Sequence, residues 1–251
     1  MLLTYHEISS APAEYVYSTT SAELSEHLRV IQTHQARRGE QPITFDDGHI
    51  SQYTHGVPVL EQHGVKAIFF VTAGWTGRRP NYMQWDQLRE LVSLGHEVQS
   101  HGWSHAMLTR CAPEKLIEEL RRSRQSIEEK MGVHVGAISM PGGRWNKDVL
   151  SQCEEAGYTR IYTSDPYDNP RSLGKVTVVG RYMIRRRMSG ADVLNILRSR
   201  DAIFSSEKAR FRLKRSARTL LGDRVYHRLW RWAGHSEDRG QDYNDASEGL
   251  P

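Results

Sequence analysis

Residues 42–48, Pro42-Ile43-Thr44-Phe45-Asp46-Asp47-Gly48, join a short apolar run to two adjacent acids and a glycine. The run 42–45 is typical of the end of a buried strand, and Gly48 allows the chain to turn directly after the carboxylates. Acids at the carboxyl end of a strand lie where a β/α barrel has its catalytic residues. The stretch therefore predicts a fold of parallel strands with a functional rim.

A second stretch with metal-binding side chains follows further along the chain. Residues 95–100, Gly-His-Glu-Val-Gln-Ser, are predicted to form a short strand that delivers His101 to the same rim. His101 and His105 are four residues apart, so one helical turn or a tight loop places both imidazoles on one side. One carboxylate and two imidazoles make a three-ligand site for a divalent metal, and the other carboxylate is then available as a general base.

Each of these two patterns also has an ordinary explanation. An isolated Asp-Asp-Gly is usually a turn, and a His-x-x-x-His pair on a surface helix is usually solvated. In this chain both patterns occur, and each follows a short apolar strand. Their combination favours a metal site over two unrelated surface features.

The rest of the chain alternates between short apolar runs and helical stretches, which is typical of an α/β barrel. The clearest helix is Pro113–Met131, which begins with proline and has an apolar stripe among many charges. Residues 86–94 and 147–156 are two further predicted helices. A chain of 251 residues with 38% hydrophobic content is sufficient for one such barrel. The predicted strands lie at residues 2–5, 42–45, 65–71, 95–99, 135–140, 158–163 and 176–179.

These motifs, in this order, resemble the polysaccharide deacetylase (NodB homology) family, carbohydrate esterase family four. Residues 44–48 and 100–105 are similar to its first two motifs. Residues 3–8, 65–71 and 94–98 resemble its opening, second and third strands, within a match that covers most of the chain. The resemblance implies a distorted, seven-stranded, TIM-like (β/α) barrel. It also implies a metal-dependent enzyme that removes N-acetyl groups from N-acetylglucosamine-type sugars.

The resemblance assigns expected roles to the acids and histidines. Asp47, His101 and His105 match the metal ligands of the family, and Asp46 matches its catalytic base. A metal lowers the pKa of a water molecule, and a nearby carboxylate can accept the proton of that water. We expect zinc, although this ligand set also suits cobalt, nickel or iron.

The third family motif corresponds to residues 139–143, Ser-Met-Pro-Gly-Gly. The resemblance implies that Pro141, Gly142 and Gly143 line the substrate site, with the backbone N–H of Gly142 as an oxyanion donor. An aromatic residue of the family is replaced by Gly142, which predicts a wider or more flexible wall.

The arginine that steadies the catalytic aspartate in the family is replaced by Ser139 in this chain. Arg144 follows the glycines and is a candidate for the same position; an ordinary surface arginine is the alternative. Asp165, in the segment similar to the fourth motif, is a candidate support for Arg144 or Asp46, and a plain Asp-Pro turn is its alternative.

The fifth family motif, a Leu-x-His that supplies a general acid, is missing, since residues 193–198 contain no histidine. His6, at the end of the first predicted strand, is the leading candidate for a proton donor, with a structural histidine as the alternative. Arg181 is a candidate for substrate binding, because an arginine side chain stays charged and is a poor proton donor.

We therefore predict a metal-dependent N-deacetylase that acts on a carbohydrate containing N-acetylhexosamine. Two alternatives stay open. The first is a deformylase, or an amidase on a non-polymeric substrate, with the same metal site. The second is a catalytically degenerate member that binds sugar, motivated by the missing fifth motif and by Ser139.

Charge is distributed unevenly along the chain. Residues 1–170 contain 16 Lys/Arg and 21 Asp/Glu, whereas residues 171–232 contain 17 and 4. Residues 208–231 have helical periodicity with one apolar side and arginines on the other. Packing on the barrel is one interpretation; contact with an anionic membrane surface or a lipid-linked substrate through residues 207–232 is the other. No nucleic-acid partner is expected, because no recognised binding module accompanies the charge.

Three segments are predicted along the chain: a catalytic domain at 1–204, a basic helical extension at 205–235, and a disordered acidic tail at 236–251. The first residues do not read as a secretory signal, and no apolar run is long enough for a spanning helix. Two cysteines give no disulfide framework. We expect a cytoplasmic protein, with a peripheral place at the inner face of the membrane if the basic segment binds there.

Overall fold

The structure of the protein is a computed structural model that describes residues 2–35, 43–166 and 170–198. Within these residues, parallel strands close into a seven-stranded barrel, because the first and last barrel strands also pair with each other. The predicted distorted (β/α) barrel is thus confirmed. The barrel strands, in spatial order, are β1 (Leu2–Tyr5), β4 (Ile43–Phe45), β5 (Ile68–Val71), β6 (Glu97–Ser100), β7 (Ala137–Ser139), β8 (Arg160–Thr163) and β10 (Val176–Met183).

Three shorter strands lie outside this closed barrel. Strands β2 (Glu7–Ser9) and β3 (Ser18–Thr20) pair in parallel with each other. Strand β9 (Arg171–Leu173) pairs antiparallel with β10. The described helices are α1 (Ser21–Gln35), α2 (Val57–Gln62), α3 (Trp85–Ser93), α4 (Pro113–Met131), α5 (Lys147–Glu155) and α6 (Gly190–Arg198).

The barrel interior is filled by the side chains of alternating strand positions. Phe70 lies against Tyr162 with ring centroids 4.9 Å apart, in a cluster that also contains Ile68, Ala137 and Val179. All four residues of β5 are buried, which explains why this strand is a continuous apolar run. Each large apolar side chain buried in this way contributes about 1.5–3 kcal/mol to folding.

Helix α4 has the bounds that the sequence predicts. Pro113 lies in its first turn, and Gly132 ends it in a left-handed conformation with φ 67°. Its buried stripe includes Leu116, Leu120 and Ile127. Helices α3 and α5 likewise lie within one residue of their predicted bounds.

The chain divides into two compact units, Met1–Leu194 and Asn195–Pro251. The predicted helical extension at 205–235 and the predicted tail at 236–251 lie outside the described residues, so the predicted segment boundaries stay predictions. None of the helices in the described part combines the length and the apolar character needed to span a bilayer.

Candidate active site

The two acids and the two histidines meet at the carboxyl ends of the barrel strands. Asp47 follows β4, and His101 follows β6 directly. The Nε2 atoms of His101 and His105 each lie 3.2 Å from Oδ1 of Asp47. The ligand atoms of the three side chains lie within 4.8 Å of one another. The sequence thus identified three residues that the fold brings together.

Asp47 reaches this position through an uncommon backbone conformation. Its φ is 77°, in the left-handed region, and Gly48 follows with φ 80°. A side chain at Gly48 would also meet Val71 of β5, since an added Cβ would lie 3.1 Å from Cγ1 of that valine. The backbone oxygen of Asp47 accepts a hydrogen bond from Thr72 N at 3.2 Å. The turn after β4 is therefore fixed against the turn after β5.

His101 is oriented by the neighbouring strand β7. Its Nδ1 donates a hydrogen bond to the backbone oxygen of Ser139 at 2.9 Å, which leaves Nε2 as the atom that faces Asp47. Burial lowers the pKa of His101, but the charges of Asp46 and Asp47 outweigh burial and raise it. A metal ion bound at Nε2 would replace a proton there.

The loop between the two histidines is anchored by a buried carboxylate that the sequence analysis did not single out. Glu119 of α4 is 0% exposed. Its Oε2 accepts hydrogen bonds from the backbone nitrogens of Trp103 and Ser104 at 2.9 and 2.8 Å. Its Oε1 accepts a third from the Ser104 hydroxyl at 2.5 Å. The signal available in sequence was an acid on the apolar side of α4.

The donor set fits a divalent metal ion. Oδ1 of Asp47 is buried and, within the described residues, has no hydrogen-bond partner of normal geometry. Burial would raise the pKa of Asp47, but its contacts with His101 and His105 outweigh burial and hold the pKa well below its usual range. A carboxylate oxygen that remains charged and converges with two imidazole nitrogens is a suitable ligand set for zinc or a similar ion.

Asp46 points to a different set of partners from its neighbour. The Nη1 and Nη2 atoms of Arg181 donate to Oδ1 and Oδ2 of Asp46, both at 2.7 Å. The Ser139 hydroxyl donates to Oδ2 at 2.9 Å. Burial would raise the pKa of Asp46, but the Arg181 charge, followed by that of His101, brings it down to about 2. Asp46 is therefore an ionised carboxylate next to the metal-ligand set.

These contacts correct two predictions about arginines. The guanidinium beside Asp46 is that of Arg181, not that of Arg144. Arg181 is also 1% exposed, and its remaining hydrogen bonds go to Thr44, Thr4 and other barrel groups, so it lies beneath Asp46 rather than facing substrate. The physical reason is topological, because β10 closes the barrel against β1 and brings Arg181 to Asp46, where the Ser139 hydroxyl accepts a hydrogen bond from its Nη2 at 2.7 Å.

Asp165 is half-buried and directly follows the turn after β8, where its backbone nitrogen donates to the Thr163 hydroxyl at 3.2 Å. The carboxylate of Asp165 is not among the partners of Asp46 in the described chain. Its predicted support of Arg144 stays a prediction.

His6 lies at the same rim, between the end of β1 and β2. Its ring is 5.1 Å from the ring of Tyr17, and its backbone oxygen accepts a hydrogen bond from Gln52 at 2.7 Å. Burial lowers the pKa of His6, and the charges of Asp47 and Asp46 act in the opposite direction. An imidazolium formed at this position would release its proton more readily than an exposed one.

The glycines after β7 form an irregular turn at the edge of the site. Pro141 is buried, and Gly142 is exposed with φ 65°. An added Cβ at Gly142 would lie 2.6 Å from Sδ of Met107, while one at Gly143 would collide with Ser164. The positive φ favours glycine at both positions, and at Gly143 the contact with Ser164 also leaves no space for a side chain, whereas at Gly142 the flexible end of Met107 would have to move. The oxyanion role of the Gly142 N–H stays a prediction.

Two aromatic side chains that the sequence analysis did not select line the metal-ligand set. The Trp75 ring stacks on His105, with centroids 5.4 Å apart and 26° between the planes. The Tyr82 ring lies 4.7 Å from Trp75. Both belong to the long turn after β5, where the only sequence signal was an aromatic-rich loop without periodicity.

A family model described as polysaccharide deacetylase matches residues 35–161, just over half of the chain. A chitooligosaccharide deacetylase of Bradyrhizobium sp. (strain ANU 289) is 35% identical over 132 residues, which cover 50% of this chain and 57% of the relative. A peptidoglycan-N-acetylglucosamine deacetylase, PgdA, of Listeria monocytogenes is 29% identical over 142 residues, 56% of this chain and 29% of that protein. The match thus spans little more than half the length of the first relative and less than a third of the second.

Among solved structures, the fold is similar to that of the Streptococcus pyogenes deacetylase PplD in complex with acetate. The TM-score is 0.67 at 20% identity, and the match covers 78% of this chain and 96% of that structure. IcaB from Ammonifex degensii gives a TM-score of 0.68 at 22% identity, with 78% and 95% covered. At these identities, the likeness establishes the barrel fold.

Proposed function

The chain belongs to the polysaccharide deacetylase family, and from this membership and the geometry of its site we propose that it hydrolyses the N-acetyl group of an N-acetylhexosamine in a carbohydrate. One observation carries the proposal. The neighbouring carboxylates of Asp46 and Asp47 face different partners, an arginine in one case and two histidines in the other. Two acids with separate environments suit two separate tasks in hydrolysis.

Asp47, His101 and His105 are the proposed metal ligands. A divalent cation bound by them, most simply zinc, supplies positive charge that polarises the amide carbonyl and makes a water molecule more acidic. The hydrogen bond from His101 to the Ser139 backbone oxygen keeps that imidazole in the orientation needed for binding. The Glu119 contacts with Ser104 keep the loop between the histidines in place.

Asp46 is the proposed general base. Its bidentate contact with Arg181 keeps the carboxylate ionised and fixes its orientation, so that it can accept a proton from the attacking water. Ser139 adds a further hydrogen bond to the same carboxylate. Arg181 acts through Asp46 and is a positioning residue.

Departure of the amine requires a proton, and His6 is the proposed donor. Its half-buried ring lies near the charges of Asp46 and Asp47, on the side of the barrel where β1 ends. The backbone N–H of Gly142 is the proposed donor to the oxyanion that forms on the carbonyl oxygen. Residues 193–198, which correspond to the fifth motif, contain no histidine that could donate this proton.

The proposal is tested with the zinc-loaded protein and N-acetylglucosamine oligosaccharides, with acetate measured as the product. We expect acetate release by the native protein and zinc retention without turnover by Asp46→Asn. Release of formate from N-formyl sugars, with no release of acetate from N-acetyl sugars, would overturn the proposed reaction. Bound zinc with no hydrolysis of any N-acetyl sugar would overturn the assignment as an enzyme of this class.

A further inference from the structure

Four of the seven loops at the catalytic rim differ in charge from the rest of the barrel. The turns after β5, β6, β7 and β10 are residues 72–84, 101–112, 140–146 and 184–189. Together they contain seven arginines and no aspartate or glutamate, although residues 1–170 as a whole contain more acids than bases. The turns after β4 and β8 at the same rim carry acids instead, namely Asp46, Asp47 and Asp165. Positive charge at the rim is thus concentrated on the four arginine-bearing turns, which favours ligands with negative charge there.

Arg79 is the rim arginine whose contacts lead most directly to the metal ligands. Its guanidinium carbon lies 4.4 Å from the centroid of the Trp75 ring. The Trp75 ring also stacks on the His105 ring, at a centroid distance of 5.4 Å. The Trp75 ring is therefore in contact with both Arg79 and a proposed metal ligand. Stacking on tryptophan also restrains the arginine side chain without using its hydrogen-bond donors.

The loop that presents Arg79 is fixed by backbone hydrogen bonds. Arg79 N donates to the Trp75 oxygen at 3.0 Å, and Tyr82 N donates to the Arg79 oxygen at 3.2 Å. Gly74 N donates to the Trp103 oxygen at 2.8 Å, which ties the loop to the segment between the two histidines. A guanidinium on a loop fixed in this way loses little conformational freedom when it binds a ligand.

Within the described chain, Arg79 has no carboxylate partner. Two arginines of α4 do have one: Arg122 contacts Glu118 at 3.0 Å, and Arg124 contacts Glu128 at 3.1 Å. Burial, followed by the charge of Asp47, raises the pKa of Tyr82 to about 12, whereas the Arg79 charge acts in the opposite direction. Tyr82 thus stays a neutral hydroxyl on which the charges of both Asp47 and Arg79 act.

We propose that the substrate bears a carboxylate or a phosphate close to the N-acetylhexosamine that is hydrolysed, and that Arg79 binds this anionic group. The planar guanidinium can donate two parallel hydrogen bonds to either oxyanion. The inference rests on the proposed deacetylase function and adds the charge of the substrate. A carboxylate would come from a neighbouring uronic acid, and a phosphate from a group on the anomeric oxygen.

Two anionic probes and one neutral probe separate these sources. They are N-acetylglucosamine 1-phosphate, a disaccharide of glucuronate and N-acetylglucosamine, and methyl N-acetylglucosaminide. Dissociation constants are measured by calorimetry on the zinc-loaded full chain, on Arg79→Gln, and on Arg121→Gln. Arg121 is exposed on α4, outside the rim loops, so the second variant removes one equal charge elsewhere. Acetate release is measured in the same samples.

We expect at least one anionic probe to bind about tenfold more tightly than the neutral probe, because hydrogen bonds to charged groups contribute free energies of that size. Arg79→Gln should remove most of this preference, and Arg121→Gln should keep it. The probe that shows the preference identifies carboxylate or phosphate. Equal or undetectable binding of all three probes, or an unchanged preference in Arg79→Gln, would overturn the inference. Failure to release acetate would instead count against the proposed function, since the binding measurement does not depend on turnover.

Discussion

The guanidinium of Arg181 and the carboxylate of Asp46 form a buried, bidentate pair, with both nitrogen-to-oxygen distances at 2.7 Å. The two residues are 135 positions apart in sequence and meet because β10 closes the barrel against β1, which is adjacent to β4. Ser139 completes the arrangement by contacting both side chains. The pair connects barrel closure to the proposed base.

Arg181→Met should reduce both stability and turnover. Removing one member of a buried ion pair leaves the other charge unpaired, at a cost of about 3–5 kcal/mol in the free energy of unfolding. Asp46 would also lose the charge that holds its pKa low, so fewer molecules would have an ionised base at mildly acidic pH. Urea denaturation and the pH profile of acetate release measure the two effects. Arg160→Met, at an exposed position of β8, is the control. If the acidic side of the pH profile were unchanged in Arg181→Met, this would contradict the role of Arg181 in keeping Asp46 ionised.

The strand ends and the proposed metal ligands were predictable because each depends on local sequence. Asp46 and Asp47 follow the short run Ile43–Phe45, His101 directly follows β6, and parallel strands bring their carboxyl ends to one rim. The partner of Asp46 was not predictable in this way. Arg144 is close to the third motif in sequence, whereas Arg181 reaches Asp46 only through the pairing of β10 with β1.

One sequence signal for Arg181 was nevertheless available. The run Val176–Val179 continues without a break into Gly180 and Arg181, and an arginine in a buried parallel strand requires an acid partner. The hydrogen bonds of Glu119 to Trp103 and Ser104 were also not predictable, because they too depend on tertiary structure. Its charge lies on the apolar side of α4, and only the tertiary structure shows which backbone nitrogens it meets.

Asp47→Ala should abolish stoichiometric zinc binding and acetate release together. The substitution removes the one carboxylate among three ligands, and a metal site with two imidazoles alone binds much more weakly. Bound zinc is measured by elemental analysis after dialysis, and activity is measured after adding zinc back. His134→Ala is the matched control, because this histidine is exposed and 74% of its side-chain surface is accessible. Full zinc content in Asp47→Ala would refute the assigned ligand set.

His6→Gln should retain zinc but lose amide hydrolysis. The loss of a general acid costs about 10²–10⁴-fold in rate. An activated aryl acetate ester is an informative second substrate, because its phenolate departs without protonation. We expect ester hydrolysis to fall far less than amide hydrolysis in His6→Gln. An equal loss for ester and amide would indicate a structural histidine instead.

His27 should make the protein less stable at mildly acidic pH. Its Nδ1 contacts the Tyr5 hydroxyl at 3.2 Å, and its Nε2 donates to the Met188 oxygen at 2.7 Å. Burial lowers the pKa of His27, partly opposed by the contact with Met188. The unfolded chain therefore takes up a proton first as pH falls below about 6.5, which favours unfolding.

This contribution is present at neutral pH and decreases as pH falls, by at most about 1.4 kcal/mol per pH unit for one proton. Denaturation at pH 5 and pH 7.5 measures it. His27→Gln should have a shallower pH dependence than the native protein, and His34→Gln, at an exposed position of the same helix, should match the native protein. Identical pH slopes in the native protein and His27→Gln would contradict this account.

Glu119→Gln should weaken zinc binding although Glu119 contacts none of the proposed ligands directly. The carboxylate accepts three hydrogen bonds from Trp103 and Ser104, which lie between His101 and His105. An uncharged amide in its place has one acceptor oxygen, so the hydrogen bonds from the two backbone nitrogens lose their charge assistance and the Ser104 hydroxyl has to accept from the amide instead of donating. Wherever a donor is left unpaired instead, the cost is about 1–3 kcal/mol. His105 has φ 62°, an uncommon conformation that the anchored loop has to maintain.

Loss of support for metal ligands typically costs about 10–100-fold in metal affinity, and we expect a change of that size. Glu118→Gln is the control, because Glu118 is exposed on the same helix and contacts Lys115 and Arg122 at the surface, where ion pairs contribute about 0–1 kcal/mol. Zinc affinity is measured by competition with a chelator, and amide hydrogen exchange at Trp103 and Ser104 reports the loop itself. If Glu119→Gln kept native zinc affinity while exchange at these two amides increased, the loop would not need its anchor to bind metal, and Glu119 would serve stability alone.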